Sequence, residues 1–205
     1  MINKGNEITE AEFVFLRSFY PEGREITLGE IKKRTGYSYE RVNSYLKGLA
    51  TKKAVIEKKV GRTLVYSLDF KKIYSKIAYY LYATKRANEF TSRRPDVFVG
   101  ISELPEEEID LYMIFGSHAK ETERKDSDVD LLIVSSDKEK IEIALTSIRR
   151  RYNLKIHPII IPKTEFAKIR NENKELWESL TTHGIIFKGY ELFYYYAYGK
   201  RSEKD

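Results

Sequence analysis

The chain has 205 residues and no cysteine, which removes disulfides, thiolate catalysis and cysteine-type zinc sites together. Hydrophobic residues make up 41% and charged residues 33%, the balance of a soluble globular protein, and no apolar run reaches the roughly 18 residues that a membrane span needs. A net charge of +6 and a pI of about 9.2 permit nucleic-acid binding without requiring it.

The start, Met1-Ile-Asn-Lys-Gly-Asn-Glu7, lacks the apolar core of a secretory signal, so a cytoplasmic location is expected. The length suits one domain or two small ones. Ile8 to Tyr20 sets Phe13, Val14, Leu16, Phe19 and Tyr20 at helical spacing. Thr9 is its expected N-cap, with Glu12 completing a capping box, and Pro21-Glu22-Gly23 stops it. Ile26-Thr27-Leu28 leads into a short helix over 29–34, ended by Thr35-Gly36. A third helix over 39–52 places Val42, Tyr45, Leu46 and Leu49 on one face. Residues 55–59 and 63–68 read as strands joined at Val60-Gly61-Arg62.

Helix, helix, turn, helix, hairpin resembles the winged helix-turn-helix family of DNA-binding regulators, over about residues 5 to 70. The resemblance implies a third helix in the major groove and a hairpin tip on the backbone. Ser38, Tyr39, Arg41, Asn43, Ser44 and Lys47 are then candidates to face DNA, with Lys52, Lys53, Lys58, Lys59 and Arg62 reaching phosphates. An ordinary solvated face is the alternative, and Glu40 and Glu57 dilute the patch.

Residues 70–90 form a long helical pattern on Ile73, Ile77, Tyr80 and Leu81, with Tyr74, Tyr79 and Tyr82 further round. The stretch 71–91 is read as a linker or dimerisation helix, and a homodimer is expected because paired half-sites multiply specificity. Pro95 suits the first turn of another helix through Val99 and Leu104, followed by a loop over 105–110.

From Leu111 the pattern alternates: strand 111–115, turn and short helix 116–121, strand 129–134, helix 137–150, strand 154–161, helix 163–181. That alternation predicts a small α/β domain with a mixed sheet over 92–205, for an overall class of α+β or α/β. In the run Asp126-Ser-Asp-Val-Asp130, Asp128 and Asp130 are two apart where a strand begins, so both carboxylates point to one face and can meet one divalent cation. The Gly116-Ser117 turn beside them offers backbone N–H groups to phosphate. Metal-dependent phosphoryl or nucleotidyl transfer needs that combination.

Phe115-Gly-Ser-His-Ala-Lys120 with Ser127-Asp-Val-Asp130 resembles the minimal nucleotidyltransferases of the DNA polymerase beta superfamily, over about 92 to 190. The resemblance implies that Gly116 lets the backbone approach a nucleoside triphosphate and that Ser117 binds a phosphate oxygen. It further implies that Asp128 and Asp130 hold Mg²⁺ as the catalytic pair, Ser127 orients their loop and Lys120 reaches a phosphate. Two departures stand out. The family usually has glycine where Glu121 stands, and usually supplies a third carboxylate from the next strand, where this chain has His157. His118 and His183 are weaker candidates for catalysis. Residues 184–189 resemble the family's closing segment, and the aromatic tail 192–198 is expected to pack on the core or a partner.

Two functions follow from the resemblance. One is transfer of a nucleoside monophosphate (NMP) from an NTP to a protein or small-molecule hydroxyl, as in antitoxins that modify a HEPN-type ribonuclease toxin. The other is a DNA-binding transcriptional regulator whose nucleotidyltransferase domain senses a nucleotide or is inactive.

Overall fold

In the computed structural model, which describes residues 7–124 and 127–199, the chain forms two units. One carries the described residues up to Tyr82 together with Tyr198 and Gly199; the other spans Ala83–Ala197. Asp126, part of the acidic run above, lies outside the described residues.

The first unit opens with α1 (Glu10–Arg17), whose capping box forms as its sequence predicts. Thr9 Oγ1 accepts the Glu12 N–H at 3.3 Å, and the Glu12 carboxylate accepts the Thr9 N–H at 2.8 Å. The helix is shorter than its apolar pattern: Phe19 and Tyr20 are buried from the turns after it. A two-residue strand, β1 (Ile26–Thr27), precedes α2 (Leu28–Thr35). A second capping box, Thr27 with Glu30, starts α2, and left-handed Gly36 ends it. Ser38 caps α3 (Tyr39–Thr51), and the hairpin β2 (Val55–Val60) and β3 (Thr63–Leu68) follows. The sheet order is β1-β3-β2, all antiparallel. Phe15, Leu16, Ile31, Val42, Leu46, Leu49 and Tyr66 are buried between helices and sheet, each such side chain stabilising by about 1.5–3 kcal/mol.

A further sequence expectation is corrected in this unit. Lys52 was placed among the residues reaching phosphate, but its Nζ sits 2.9 and 2.8 Å from the two Glu12 carboxylate oxygens and 2.7 Å from the Glu7 carbonyl. The partly buried Glu12 charge needs that partner, so Lys52 is committed inside the unit.

Helix α4 (Ile73–Arg93) leads into the second unit, where α5 (Pro95–Ile101) starts on its proline as expected. The loop expected over 105–110 includes a 3-10 turn, Glu106–Glu108. Then come β4 (Leu111–Phe115), α6 (Gly116–Lys120), β5 (Val129–Val134), α7 (Lys138–Tyr152) and β6 (Ile156–Ile161). The chain continues as α8 (Lys163–Glu172), α9 (Lys174–His183), β7 (Ile185–Lys188) and α10 (Tyr190–Ala197). The sheet order is β6-β5-β4-β7, with β5 and β6 parallel and the other pairs antiparallel, a mixed sheet as expected.

The helix expected over 163–181 is two helices. Asn173 leaves helical geometry, donates its N–H to the Ile169 carbonyl at 2.8 Å, and accepts the Leu176 N–H on Oδ1 at 3.0 Å. Asparagine competes for backbone hydrogen bonds in a helix interior and is favoured as an N-cap, so it divides the run. The strand expected from 154 begins at Ile156, because Asn153 takes the left-handed conformation that closes α7. The Arg149 guanidinium then donates to the Ile156 carbonyl at 2.9 and 3.2 Å. Ile114, Leu131, Ile133, Leu145, Ile148 and Ile185 bury one continuous core with Phe90, Val97 and Ile101. Trp177 stacks on Phe193 at 6.0 Å, so α10 buries part of the aromatic tail.

Candidate functional site

The site grows from the ends of two neighbouring strands. Phe115, the last residue of β4, is the register partner of Asp130 on β5. Val129, the first residue of β5, is buried with 2% exposure, and Asp130 follows it within the strand while Asp128 lies one residue before it. Asp128 is exposed and Asp130 half-buried.

Gly116 follows Phe115 with φ +68. A Cβ on it would lie 1.9 Å from Asp130 Oδ2 and 2.8 Å from its Cγ. The missing side chain is therefore what lets the Asp130 carboxylate rest against the turn. Ser117 is half-buried on the first turn of α6 and Lys120 exposed at its end. The helix closes on Glu121, whose φ of +59 is left-handed and whose N–H bonds the Ser117 carbonyl. That backbone is why a glycine suits the position; Glu121 tolerates it with its side chain in solvent.

His157 is the register partner of Asp130 on the parallel strand β6. Its Nδ1 lies 3.6 Å from Asp130 Oδ1 and its side chain is 74% exposed. His183, on α9, helps line a cleft of about 450 Å³ with Gly116, Lys120, Leu176, Ser179 and Thr182. Burial, then the charges of Lys120 and Arg86, push its imidazole below its ordinary value. Residues at i, i+3, i+4 and i+7 share a helix face, so Leu176, Ser179 and His183 were legible as one stripe, yet no signal tied that stripe to Gly116.

His118 is 1% exposed, and both its ring nitrogens have partners. Nδ1 lies 3.0 Å from Arg94 Nη1, and Nε2 lies 3.3 Å from the Ser127 carbonyl. Arg94 is itself held by Asp96 at 3.0 and 2.7 Å, and that hydrogen-bonded guanidinium keeps the Asp96 carboxyl below the usual carboxylate range. Arg93 donates to the His118 carbonyl at 2.9 Å and pairs with Glu123. Arg86 donates to the Ala119 carbonyl at 3.0 Å. Three arginines thus hold α6 from outside it, an arrangement that sequence reasoning missed. The Ser127 hydroxyl accepts the Arg124 N–H at 2.8 Å and its own N–H donates to the Arg124 carbonyl at 3.0 Å.

The donor set suits a hard cation. Asp130 rests its carboxylate against the Gly116 turn and Asp128 lies two residues before it in the chain, oxygen ligands of the kind with which Mg²⁺ is commonly held. Among the described residues no group of three or more His, Asp or Glu side chains gathers as a metal cage. Nucleotide phosphate and water would have to complete the shell, as is usual for Mg²⁺.

In the first unit, Ser38, Tyr39, Arg41, Ser44 and Lys47 are exposed at the start of α3 and along it, and Asn43 is half-buried. The Ser38 hydroxyl is engaged as the α3 cap, accepting the Arg41 N–H at 3.3 Å. The Arg41 guanidinium lies over the Tyr37 ring at 4.2 Å, which fixes its direction at the surface. Lys58, Lys59 and Arg62 are exposed on the β2–β3 hairpin, Lys58 within 3.9 Å of Glu25. Among the described residues no helix is long and apolar enough to cross a membrane.

Residues 101–189 match the family model described as "Polymerase beta, Nucleotidyltransferase". The match takes in Gly116, Ser117, Asp128, Asp130 and His157, and supports a nucleotidyltransferase domain there, with nucleotide transfer as its class of chemistry. Comparison of the chain with curated proteins and with solved structures gives no match.

Proposed function

We propose that this protein is a Mg²⁺-dependent nucleotidyltransferase carrying a winged helix-turn-helix, which moves an NMP from an NTP to a hydroxyl of a protein or small molecule. In this reading residues 1–70 are the DNA-binding domain, 71–91 a linker or dimerisation helix and 92–205 the transferase domain. The observation that carries the reading is the seating of Asp130 against Gly116, where a Cβ would lie 1.9 Å from its carboxylate. A carboxylate held that close to a Gly-Ser turn supports a reading in which metal and phosphate are bound side by side.

Gly116 and Ser117 present backbone N–H groups and a hydroxyl to phosphate oxygens, and Lys120 adds a cation beside them. Asp128 and Asp130 hold the metal. When bound, Mg²⁺ supplies neutralisation of the charge that develops on the phosphates and the leaving pyrophosphate. The acceptor oxygen bonds to the α-phosphorus as the bond from that phosphorus to the bridging oxygen breaks; pyrophosphate leaves and the hydroxyl proton passes to water. A HEPN-type ribonuclease toxin is the proposed protein acceptor, which would make the protein an antitoxin that also regulates its own operon as a homodimer. Ser38, Tyr39, Arg41, Asn43, Ser44 and Lys47 then face the DNA bases and sugars, and Lys58, Lys59 and Arg62 the phosphates.

Incubation with labelled ATP, Mg²⁺ and candidate acceptors tests the transfer. Label should appear on an acceptor and vanish in Asp128→Ala; label unchanged in that variant refutes the reading. A second reading rests on one observation: the strand position opposite Asp130 holds His157. With no carboxylate there, the domain would bind a nucleotide as a signal while the N-terminal domain acts as a transcriptional regulator. Nucleotide binding without label transfer, together with salt-sensitive binding to the upstream DNA, distinguishes it.

A further inference from the structure

We propose that His118 is a positioning residue, which sets the distance between the phosphate-binding turn and the metal-binding carboxylates. This rests on the nucleotidyltransferase reading above and adds a residue that the reading leaves idle. A guanidinium can only donate, so at 3.0 Å from Arg94 Nη1 the His118 Nδ1 must accept. The ring proton is therefore on Nε2, which donates to the Ser127 carbonyl at 3.3 Å. That carbonyl belongs to the peptide bond that begins Asp128, while the His118 backbone follows Ser117 directly. One imidazole, 1% exposed, thus bridges the two halves of the site.

The bridge is itself anchored. Asp96 grips Arg94 through two contacts, and Arg93 takes the His118 carbonyl at 2.9 Å. With both nitrogens committed and the ring 1% exposed, the imidazole is out of reach of a substrate. Its geometry suits it to hold the Asp128 loop and to nothing catalytic. Partners one step outside a metal's ligands typically change metal affinity by about 10- to 100-fold when removed.

The test uses the full chain with His118→Leu, which loses both bonds, and His118→Gln, whose amide keeps an acceptor and a donor. Ile148→Val, a core change away from the site, controls for general destabilisation. Mn²⁺ affinity with a non-hydrolysable ATP analogue present is read by electron paramagnetic resonance. Amide exchange at Ser127, Asp128 and Val129 is read separately. His118→Leu should weaken Mn²⁺ binding about 10-fold and speed exchange at those amides, His118→Gln should restore both, and Ile148→Val should leave Mn²⁺ affinity at the parent value. Unchanged exchange in His118→Leu overturns the bridge. Faster exchange with Mn²⁺ affinity unchanged, or reduced equally in Ile148→Val, overturns its role in positioning. Parent protein that binds no Mn²⁺ with nucleotide overturns the nucleotidyltransferase reading, and the positioning role with it, whatever the exchange shows.

Discussion

Replacing Gly116 by alanine should damage the site far more than the fold. The new Cβ would lie 1.9 Å from Asp130 Oδ2, and real Cβ contacts stay beyond 3.0 Å, so the carboxylate must retreat by more than about 1 Å. The φ of +68 adds the left-handed penalty of a non-glycine residue, about 1–2 kcal/mol. The Asp130 side chain is 27% exposed and can swing into solvent, so the steric part is largely relieved at the carboxylate's expense. A total near 2 kcal/mol follows, which lowers Tm by about 5–10 °C. A misplacement of about 1 Å at a reacting centre costs about 100-fold in rate, a much larger effect at the site. Thermal unfolding and Mg²⁺-dependent transfer from ATP, with nucleotide binding measured alongside, check both halves. A double-mutant cycle with Asp130→Ala isolates the contact: in that background Gly116→Ala should retain only the backbone cost. Transfer and nucleotide binding within about threefold of the parent would refute the argument.

Four further outcomes are expected. Glu121→Gly should change stability by less than about 0.5 kcal/mol, since relief of the left-handed backbone offsets glycine's entropy, whereas Glu121→Val should cost about 1–2 kcal/mol in urea unfolding. Burial raises the Glu12 carboxyl, but hydrogen bonds from Lys52 and Thr9 outweigh it and leave the group below its ordinary value of 4.5. The stability this gives is complete above pH 4.5 and is lost as pH falls through the lower folded value. A plot of Tm against pH should therefore bend downward there in the parent and less in Glu12→Gln; parallel curves would remove the explanation. Asn173→Ala should cost about 1 kcal/mol by uncapping α9, read by chemical denaturation. Lys58→Ala and Arg62→Ala should each flatten the salt dependence of DNA binding by about 0.9 in log–log slope, and a slope unmoved in fluorescence anisotropy would place both away from phosphate.

The parts of the molecule legible in its sequence are those fixed by neighbours a few residues apart. Thr9 and Glu12 announce a capping box because both halves lie within one turn. Asp128 and Asp130 suggest a shared face because strand alternation is local, and Val129 between them is buried. Asn173 escaped notice because the charged residues around it keep a helical pattern running, and a cap is only recognised once the chain has turned. Strand β1 is two residues long, too short to show a period. The bridging role of His118 was hidden for another reason: its partners Arg94 and Ser127 are 24 and 9 residues away in the chain. Nothing near His118 in sequence marks it as buried.

The sheet order also decides how the second unit ends at its rim. β6 is an edge strand of nearly unbroken apolar character, Ile156-His-Pro-Ile-Ile-Ile161, the sort of sequence that invites a foreign strand to add on. The carbonyls of Lys155 and Ile161 accept from Val129 and Ser135, so odd-numbered residues turn their backbone toward β5 and even-numbered ones turn it outward. On that outward side the Ile156 carbonyl is taken by Arg149, and Pro158 has no N–H to offer. An incoming strand therefore meets an occupied acceptor and a missing donor. Strand addition at this edge and amyloid-like growth are discouraged by backbone chemistry rather than by surface charge, and His157 keeps its side chain on the face of the sheet where Asp130 lies.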